Sequence, residues 1–291
     1  MSNILVTLNY KDADGCKVIC KQALKCSDID YIVVVDNMSN DGSFETLKKL
    51  ECEKIKIVQS GRNGGYSYGY NFGFRFAKQF KADKVILCNS DVLFSPEMVT
   101  ACFQYLDEHK DVGAVSVRQK NIYGKEISSA WTYPKYTDEL KYCFYCYRKF
   151  IFPKQARNEY QVIGRAQEVD ALAGCFTVYN MSSLEQCGMY DDNVFLYNEE
   201  NIISMRLHAA GYKLHRLNGY FYIHAHNRVA SKPSTNFKKL LKTAKCSYYF
   251  QVNYLHIGLV KQILFKICIF LGTLEQWLIN WVSTIRGKKN V

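Results

Sequence analysis

Apolar and polar residues alternate in short blocks along the first half of the chain. Apolar runs at residues 4–8, 31–35, 55–58 and 84–88 have the length and β-branched content of buried strands. Between these runs apolar residues recur at helical spacing, and the segment SNDGS supplies capping residues for one of the helices. This alternation predicts an α/β fold with a mostly parallel central sheet covered by helices on both faces.

The second half of the chain continues this pattern less regularly. Residues 131–160 are rich in Tyr, Phe, Lys and Arg and show no clear period, which favours a mobile loop or lid. The pattern elsewhere predicts a strand at 112–117, regular structure at 171–179, a helix at 199–210 and paired short strands near Leu214 and Tyr222.

The tail of the chain, residues 257–285, is dominated by apolar residues with one narrow stripe of small and polar positions at helical spacing. This pattern predicts an amphipathic helix with a wide apolar face. Its longest nearly apolar run, residues 263–274, is too short to cross a bilayer, so we do not expect it to span a membrane. We therefore predict an α/β domain at residues 1–235 and a helical region at 236–291 that contacts a membrane or packs on protein.

Composition adds a basic balance and many cysteines. The 38 Lys and Arg exceed the 27 Asp and Glu, giving a formal net charge of +11, which favours nucleotide diphosphates, acidic lipid headgroups or nucleic acid as partners. Of the twelve cysteines only Cys143 and Cys146 form a CxxC pair, so we expect core thiols rather than zinc. The start of the sequence lacks the features of a secretory signal, and a reducing cytosol is expected.

Three acidic or polar clusters are expected where strands end, at residues 36–37, at 89–91 and, after the segment FLYN, at 199–200. Because parallel α/β sheets bind ligands at the carboxyl ends of their strands, several such clusters favour a shared site. The alternative is that each cluster caps a helix or a turn.

Such clusters suit a transfer reaction that expels a diphosphate leaving group. Expulsion of a nucleoside diphosphate develops negative charge, which a divalent cation can neutralise. Mg²⁺ or Mn²⁺ needs only one or two protein carboxylates, and Asp91 is the candidate ligand. Glu199 and Glu200 are candidates for the base that accepts the proton of an attacking hydroxyl, or else for acidic helix caps.

The glycine-rich segment at residues 61–73 lacks the spacing of a P-loop or a dinucleotide fingerprint. Gly65, Gly69 and Gly73 recur every four residues, which places them on one face of a helix. Close packing against another backbone is the simplest explanation of this spacing.

Seven stretches together are similar to one family. In order they are VTLNY, VVVDNMSNDGS, NGGYSYGYNFG, VILCNSDV, DALAGCFTVYN, FLYNEENIISMRLHAAGY and IHAHNRVAS. Across residues 3–231 the sequence resembles the family-2 glycosyltransferases, especially bacterial rhamnosyltransferase-like and capsule or O-antigen enzymes. The resemblance implies a GT-A-like fold with an amphipathic helical tail.

The resemblance also implies donor-binding residues. Thr7 and Asp36 would help to hold the nucleoside, with Asn37 beside them. Asn63 and Gly64 would line the pocket for the nucleotide sugar.

The segment NSD stands where the family has its Asp-x-Asp motif, so Asn89, Ser90 and Asp91 would face the nucleotide sugar and Asp91 would bind the metal ion and the diphosphate. The segment FLYNEE stands where the family often has FLYxED. Glu200 would then be the preferred base, with Glu199 next to it.

The sequence departs from the family pattern at two positions, and it contains two further candidate metal ligands. Asn89 replaces the first carboxylate of the metal motif, and Ile202 replaces a further Asp of the family, so the acidic cluster is thinner. His224 and His226 lie in a stretch where related enzymes place a histidine near the diphosphate or metal, and either is a candidate metal ligand.

The prediction is an inverting, hexosyl-type glycosyltransferase dependent on Mg²⁺ or Mn²⁺. It would move a sugar from a UDP- or dTDP-sugar to a hydroxyl of a glycan or lipid-linked acceptor in surface polysaccharide synthesis. We expect a cytoplasmic enzyme, peripheral at the inner face of the cell membrane, with no nucleic-acid partner and a possible oligomer. The alternatives are a basic nucleic-acid-binding protein and a sugar-phosphate nucleotidyltransferase, which would consume a nucleoside triphosphate.

Overall fold

A computed structural model describes residues 1–151, 160–225 and 237–288. Contacts divide the chain into two compact units. The larger unit comprises Met1–Thr132 and Glu159–Asn227, and the smaller comprises Tyr133–Asn158 and Arg228–Val291. The smaller unit thus takes in residues 133–158, which the sequence-based boundaries assign to the first domain.

The elements of the larger unit follow the alternation expected from the sequence. The strands are β1 (Ser2–Asn9), β2 (Tyr31–Asp36), β3 (Ile55–Gln59), β4 (Ala82–Cys88), β5 (Val92–Leu93), β6 (Val112–Asn121), β7 (Glu126–Ile127), β8 (Ala130–Trp131), β9 (Ala166–Glu168), β10 (Ala171–Leu172), β11 (Phe176–Asn180) and β12 (Lys213–His224). The helices are α1 (Ala13–Ala23), α2 (Ser43–Lys48), α3 (Gly65–Ala77), α4 (Pro96–Glu108), α7 (Met181–Gln186) and α8 (Glu199–Ala209), and a single 3₁₀ turn spans Lys78–Phe80. The smaller unit holds α5 (Tyr136–Tyr142), α6 (Tyr145–Phe150), α9 (Phe237–Asn253) and α10 (Leu259–Lys288).

The main sheet runs in the order β3-β2-β1-β4-β11-β6-β12-β5, with β7 added beside β6 and β9 beside β12. Strands β3, β2, β1 and β4 are parallel, and β12 is parallel to β6. Strand β11 runs antiparallel to both of its neighbours. The predicted mostly parallel α/β sheet is confirmed, and the carboxyl ends of β1, β2 and β4 lie side by side.

Helices cover both faces of this sheet. Residues of α3, α7 and α8 form a buried cluster with one face of β1, β2 and β4, and α1 packs on β1 and β2 from the opposite face. A Cβ atom added to Gly73 of α3 would lie 2.4 Å from a methyl carbon of Val6 and 2.9 Å from one of Val35. One at Gly69 would lie 3.0 Å from Leu8. The packing explanation for these two glycines is therefore confirmed.

Two local expectations were wrong. The paired short strands near Leu214 and Tyr222 are one strand, β12, whose register against β6 shifts between Leu217 and Phe221. Such an irregularity interrupts the period of the side chains and makes one strand resemble two. Residues 131–160 were expected to form an irregular loop, but their described part contains β8, α5 and α6.

In the smaller unit, α10 is a single helix of 30 residues. Its segment Leu259–Val282 is long and apolar enough to cross a membrane, judged by length and composition. The expectation that the tail is too short to span was based on the run at 263–274, and the continuous helix removes that reason.

All twelve cysteines lie in the described part of the chain as free thiols, and seven of them are buried. Burial raises the pKa of Cys20 to about 11 and that of Cys102 to about 12. These thiols are protonated and pack as small apolar groups, as the sequence predicted.

Candidate functional site

The ends of β1 and β2 meet through a pair of polar side chains. Asn9 and Asp36 are register partners, and Asn9 Nδ2 donates to Asp36 Oδ1 at 2.7 Å. The other carboxylate oxygen accepts from Gln59 Nε2 at 3.2 Å and from the backbone N–H of Ser39 at 3.1 Å. Asp36 is completely buried, so it orders the loop after β2, and its contact with a nucleoside stays a prediction.

A second set of hydrogen bonds joins the ends of β1 and β2 to the end of β4. The oxygen of Asn9 accepts from the N–H of Asp12 at 3.0 Å, and Asp12 caps α1 through the N–H of Gly15 at 3.2 Å. The Ser90 hydroxyl donates to Asp12 Oδ2 at 2.6 Å. Residues 89–91, which follow β4, form what we call the 89–91 corner. Asp36 is therefore connected to this corner through only two intervening residues, Asn9 and Asp12.

An open polar cavity of about 390 Å³ lies beside this network. It is lined by the starts of α1 and α2, including Lys11, Asp12, Lys17 and Ser43. Cavities of this size accept small ligands, and a position outside the carboxyl ends of parallel strands is where α/β sheets bind them. It is the candidate nucleoside compartment.

The loop after β3 forms one wall of the site. Asn37 donates through Nδ2 to Asn63 Oδ1 at 3.2 Å and to the carbonyl of Gly65 at 3.0 Å. Gly65 has a φ of +87°, and an added Cβ atom there would lie 2.2 Å from the carbonyl oxygen of Phe195. The structure thus brings Asn37, Asn63 and Gly64 together in the turn before α3 and seats this turn against the chain before α8.

Thr7 lies apart from this wall. Its neighbours on β1, Val6 and Leu8, face the glycines of α3, so alternation along the strand directs Thr7 to the opposite face, under α1. Its side chain is fully buried there. A role for Thr7 in holding the nucleoside stays a prediction.

Asn89 follows β4 and is held from the core side. The hydroxyls of Tyr66 and Tyr70, both from α3, lie in hydrogen-bond contact with Asn89 Oδ1. The Asn89 backbone N–H donates to the carbonyl of Cys175 at 2.9 Å. The first residue of the 89–91 corner is therefore the neutral Asn89, held by two tyrosine hydroxyls. Asp91 is the only carboxylate of this corner.

Asp91 and His224 are neighbours because of sheet pairing. Val92 of β5 pairs with His224 of β12, and the N–H of Ala225 donates to the Asp91 carbonyl at 2.7 Å. His224 Nε2 lies 3.1 Å from Asp91 Oδ2, and its Nδ1 lies 3.0 Å from Gln119 Nε2.

The tautomer of His224 follows from the contacts of Gln119. Its amide oxygen accepts from the Tyr222 hydroxyl at 2.9 Å, so its nitrogen is the donor to His224 Nδ1. The imidazole then carries its proton on Nε2 and donates to Asp91. His226, the other predicted metal ligand, lies outside the described residues.

A divalent cation fits this corner through few protein ligands. Among the described residues there is no group of three or more His, Cys, Asp and Glu side chains that could hold a metal ion. One carboxylate suits an ion that keeps water and diphosphate oxygens, and His224 could join it only in its other tautomer, with the proton on Nδ1.

Glu199 and Glu200 open α8 after a strained turn. Tyr197 and Asn198 have φ values of +77° and +64°, a left-handed conformation that is costly for a tyrosine. Asn201 accepts from the Trp131 indole N–H at 2.9 Å and donates to Asn198 Oδ1 at 2.8 Å, which fixes the turn. Glu199 is buried and Glu200 is half-buried, so the more accessible carboxylate is the one predicted to be the base.

Glu200 and the 89–91 corner converge on Gly174 and Cys175. A Cβ atom at Gly174 would lie 2.8 Å from Glu200 Cγ, and the Gly174 carbonyl accepts from the Tyr66 hydroxyl at 2.7 Å. Burial raises the pKa of Cys175 to about 12, and the charges of Glu200 and Asp91 both add to this increase. Because the Tyr66 hydroxyl contacts both the Gly174 carbonyl and Asn89 Oδ1, Glu200 and residues 89–91 lie at the same edge of the sheet.

Sequence reasoning missed several residues of this site. Asp12 was part of a polar stretch with no assigned role, although Asp before a helical pattern is itself a cap signal. Tyr66 and Gln119 carried no signal, because they act through contacts with residues distant in sequence. Gly174 was noticed only within a matching stretch, since its close approach to Glu200 depends on the fold.

Comparisons with known proteins agree with this geometry. The family model described as Glycosyl transferase family 2 matches residues 17–188, which is more than half of the chain. No curated protein matches the sequence.

Solved structures show the same fold at low identity. The mannosyltransferase PcManGT from Pyrobaculum calidifontis, in complex with GDP-Man and Mn²⁺, matches with a TM-score of 0.57 and 14% identity, covering 93% of this chain and 70% of that one. GalNAc-T7 with UDP, GalNAc and Mn²⁺ matches with a TM-score of 0.58 and 13% identity, covering 86% of this chain and 50% of that one.

A third match is S. aureus TarS 1-349 in complex with UDP-GlcNAc, with a TM-score of 0.53 and 16% identity, covering 87% of this chain and 67% of that one. The family match favours glycosyl transfer over the nucleic-acid-binding and nucleotidyltransferase alternatives. The chain therefore belongs to glycosyl transferase family 2 and is a glycosyltransferase with a GT-A-like α/β fold.

Proposed function

We propose that this enzyme is an inverting, hexosyl-type glycosyltransferase that moves a sugar from a UDP- or dTDP-sugar to a hydroxyl of a glycan or lipid-linked acceptor. The observation that supports the proposal best is the convergence of Asp91 and Glu200 on Gly174 and Cys175. One carboxylate is thereby available to the leaving diphosphate and the other to the attacking alcohol.

The reaction proceeds in one displacement. Glu200 accepts the proton of the acceptor hydroxyl as its oxygen forms a bond to the anomeric carbon. The bond from that carbon to the diphosphate oxygen breaks, and the electron pair leaves with the nucleoside diphosphate. Because attack and departure occur on opposite sides, the configuration of the anomeric carbon inverts.

Residues at the ends of the strands hold the donor. The cavity between the starts of α1 and α2 takes the nucleoside, and the turn with Asn37, Asn63 and Gly64 borders the sugar. Asp91 would hold Mg²⁺ or Mn²⁺, with His226, or His224 in its other tautomer, as a further ligand, and the ion would neutralise charge on the leaving diphosphate. The presence of Mn²⁺ in the complexes of PcManGT and GalNAc-T7 supports this assignment.

The acceptor belongs to surface polysaccharide synthesis, of the capsule or O-antigen kind, and the enzyme works at the cytoplasmic face of the cell membrane. The resemblance of seven ordered sequence stretches to enzymes of these pathways supports this part of the proposal. The neighbours bind GDP-Man, UDP and UDP-GlcNAc, so GDP-sugars belong in the donor panel beside UDP- and dTDP-sugars.

Thermal-shift measurement against nucleoside diphosphates and their sugars, with and without Mn²⁺, tests the donor class, because a ligand of the folded state must raise its stability. We expect at least one nucleotide sugar to raise the melting temperature more in Mn²⁺ than in EDTA. Transfer is then followed with that donor and lipid-linked or free glycan acceptors. If every donor leaves the melting temperature unchanged and nucleoside triphosphates raise it, the proposed function is wrong.

A further inference from the structure

The exposed residues of α10 between Leu259 and Val282 are apolar except for Lys261 and Lys266. Twelve apolar side chains between Leu259 and Val282 are each at least 40% exposed, and Phe270 reaches 66%. At 100° per residue these positions fall within an arc of about 140°, and the segment is about 36 Å long. No charged residue of the segment falls within this arc. We call these twelve side chains the outer face of α10.

The protein-facing side of the same helix holds buried polar groups beside Phe265. Gln276 is fully buried, and its amide oxygen accepts from the Arg148 guanidinium at 3.4 Å. The Glu275 carboxylate accepts from the backbone N–H groups of Tyr145 at 2.6 Å and Cys146 at 3.1 Å. A helix of a water-soluble protein is oriented the other way, with its apolar stripe inward.

Charge is divided unequally between the two units. Residues 133–158 and 228–291 carry 17 Lys and Arg against 3 Asp and Glu, a net charge of +14. The remaining residues carry 21 against 24, a net charge of −3. The whole basic excess of the protein therefore belongs to the unit that carries the outer face.

We propose that the outer face of α10 docks in the plane of a membrane that contains anionic lipids. Its apolar side chains enter the acyl boundary, and the lysines of the smaller unit contact anionic headgroups. Trp277 and Trp281, each 55% exposed on this face, have the side chain that is enriched at the depth of the headgroups.

The helix lies along the membrane rather than across it. Helices α5, α6 and α9 pack on its polar side, and this contact includes the buried Arg148 and the carboxylate of Glu275. A spanning orientation would carry these charges into hydrocarbon, at a cost of several kcal/mol for each charge. Lying in the plane buries the outer face and leaves the charged side in water.

This docking goes beyond the proposed transfer reaction and depends on no step of it. Its use to the enzyme, which is access to a lipid-linked acceptor, does depend on the proposed function. The competing occupant of the outer face is a second copy of the chain.

Flotation of the full chain with lipid vesicles tests the proposal. We expect binding to phosphatidylcholine vesicles that contain about one third phosphatidylglycerol, at least tenfold weaker binding to phosphatidylcholine alone, and weakening by salt. Phe270→Glu should reduce binding at least tenfold, because a carboxylate replaces an apolar side chain at the acyl boundary. The matched control is Ile122→Glu, an exposed apolar position of the larger unit that is 43% exposed, and it should bind as the wild type does.

Tryptophan fluorescence gives the depth and orientation. Trp131 is buried in the larger unit, so a blue shift on adding vesicles reports on Trp277 and Trp281. We expect stronger quenching by lipids brominated near the headgroup than by lipids brominated near the end of the acyl chain. Equal or stronger quenching from the deep position would overturn the in-plane arrangement.

Two further outcomes would overturn the docking itself. One is vesicle binding by Phe270→Glu equal to that of the wild type. The other is a wild-type dimer that Phe270→Glu dissociates while neither protein binds vesicles, which would identify a second copy as the occupant. Vesicle binding is measured without donor, so its failure leaves the proposed function untouched, and Glu200→Gln should still bind vesicles.

Discussion

The two units of this protein differ in which kinds of side chain they bury and which they expose. In the larger unit, apolar strands are buried and polar side chains, some buried and some half-buried, lie where β1, β2 and β4 end. In the smaller unit, polar groups such as Gln276 and Arg148 are buried while the apolar face of α10 is exposed. The first arrangement prepares a cleft for a charged ligand, and the second prepares a surface for an apolar environment.

What each unit can bind follows from which side chains it buries, rather than from its composition. The larger unit carries a net charge of −3 and still offers a polar cavity beside Asp12, so net charge does not mark the proposed donor site. The basic excess that first pointed to nucleotide diphosphates lies in the other unit. The two roles should therefore be separable by mutation.

The largest effect is expected at the proposed base in the larger unit. Glu200→Gln should lower kcat by about 10²- to 10⁴-fold, because the amide cannot accept the proton of the acceptor hydroxyl. Initial rates at saturating donor measure this, with circular dichroism to check the fold. The matched variant Glu199→Gln should lose less than about tenfold, since Glu199 is the buried member of the pair. Equal losses in both would contradict the assignment.

The next effect is expected at Asp91. Asp91→Asn should lower transfer by about 10²-fold, because a charged partner of the leaving diphosphate is lost. Electron paramagnetic resonance of free Mn²⁺ in the presence of nucleoside diphosphate should show weaker binding of the ion to the variant. Unchanged Mn²⁺ binding would remove Asp91 from the metal site even if activity falls.

A stability effect follows from the glycine contacts in the core of the larger unit. Gly73→Ala should lower the free energy of unfolding by about 1–2 kcal/mol, since overpacking against Val6 and Val35 outweighs the better helix propensity of alanine. Gly69→Ala is the control, because its nearest neighbour is the end of the Leu8 side chain. Urea unfolding compares the two, and a Gly73→Ala protein as stable as the wild type would contradict the tight packing of α3.

A smaller effect, on vesicle binding alone, is expected from removing one positive charge of the smaller unit. Lys266→Gln should weaken binding to anionic vesicles about fivefold, the effect of about 1 kcal/mol for one lysine near the surface. Transfer to a soluble acceptor should stay unchanged, because Lys266 belongs to the smaller unit. A change in kcat on the soluble acceptor would break the division of roles.

The smallest effect is a pH dependence of stability in the larger unit. Burial lowers the pKa of His215, although Glu168 and Asp111 raise it in part. The unfolded chain therefore binds the proton first as pH falls below about 6.5, and stability decreases there. Unfolding free energy measured from about pH 7.5 to about pH 5.5 should fall less steeply in His215→Gln. An identical slope in both proteins would exclude His215 as a source of this dependence.

The fold was largely predictable because it depends on local periodicity. Strands β1 to β4 and helix α1 lie where their apolar patterns place them, since buried strands and amphipathic helices must show those periods. Strand β12 was misinterpreted because its irregular register against β6 interrupts its pattern. Helices α5 and α6 were missed because short helices in an aromatic, basic segment have no clear stripe.

The candidate site was predictable in its carboxylates and not in its supporting groups. Asp91 and Glu200 follow strand and turn signals that a sequence carries. The Asn89 contact with Tyr66 and the donation of Gln119 to His224 join residues up to 105 positions apart in sequence. No local pattern contains such pairs.

The sequence by itself determined the family, the order of the main elements, the candidate carboxylates and the apolar nature of the tail. Only the tertiary structure decided that Asp36 is buried, that Asp91 meets His224, and that the apolar side of α10 faces outward. The physical reason is that periodicity states which side chains share a face. Periodicity does not determine whether that face packs on protein or is exposed, because this depends on contacts between segments that are distant along the chain.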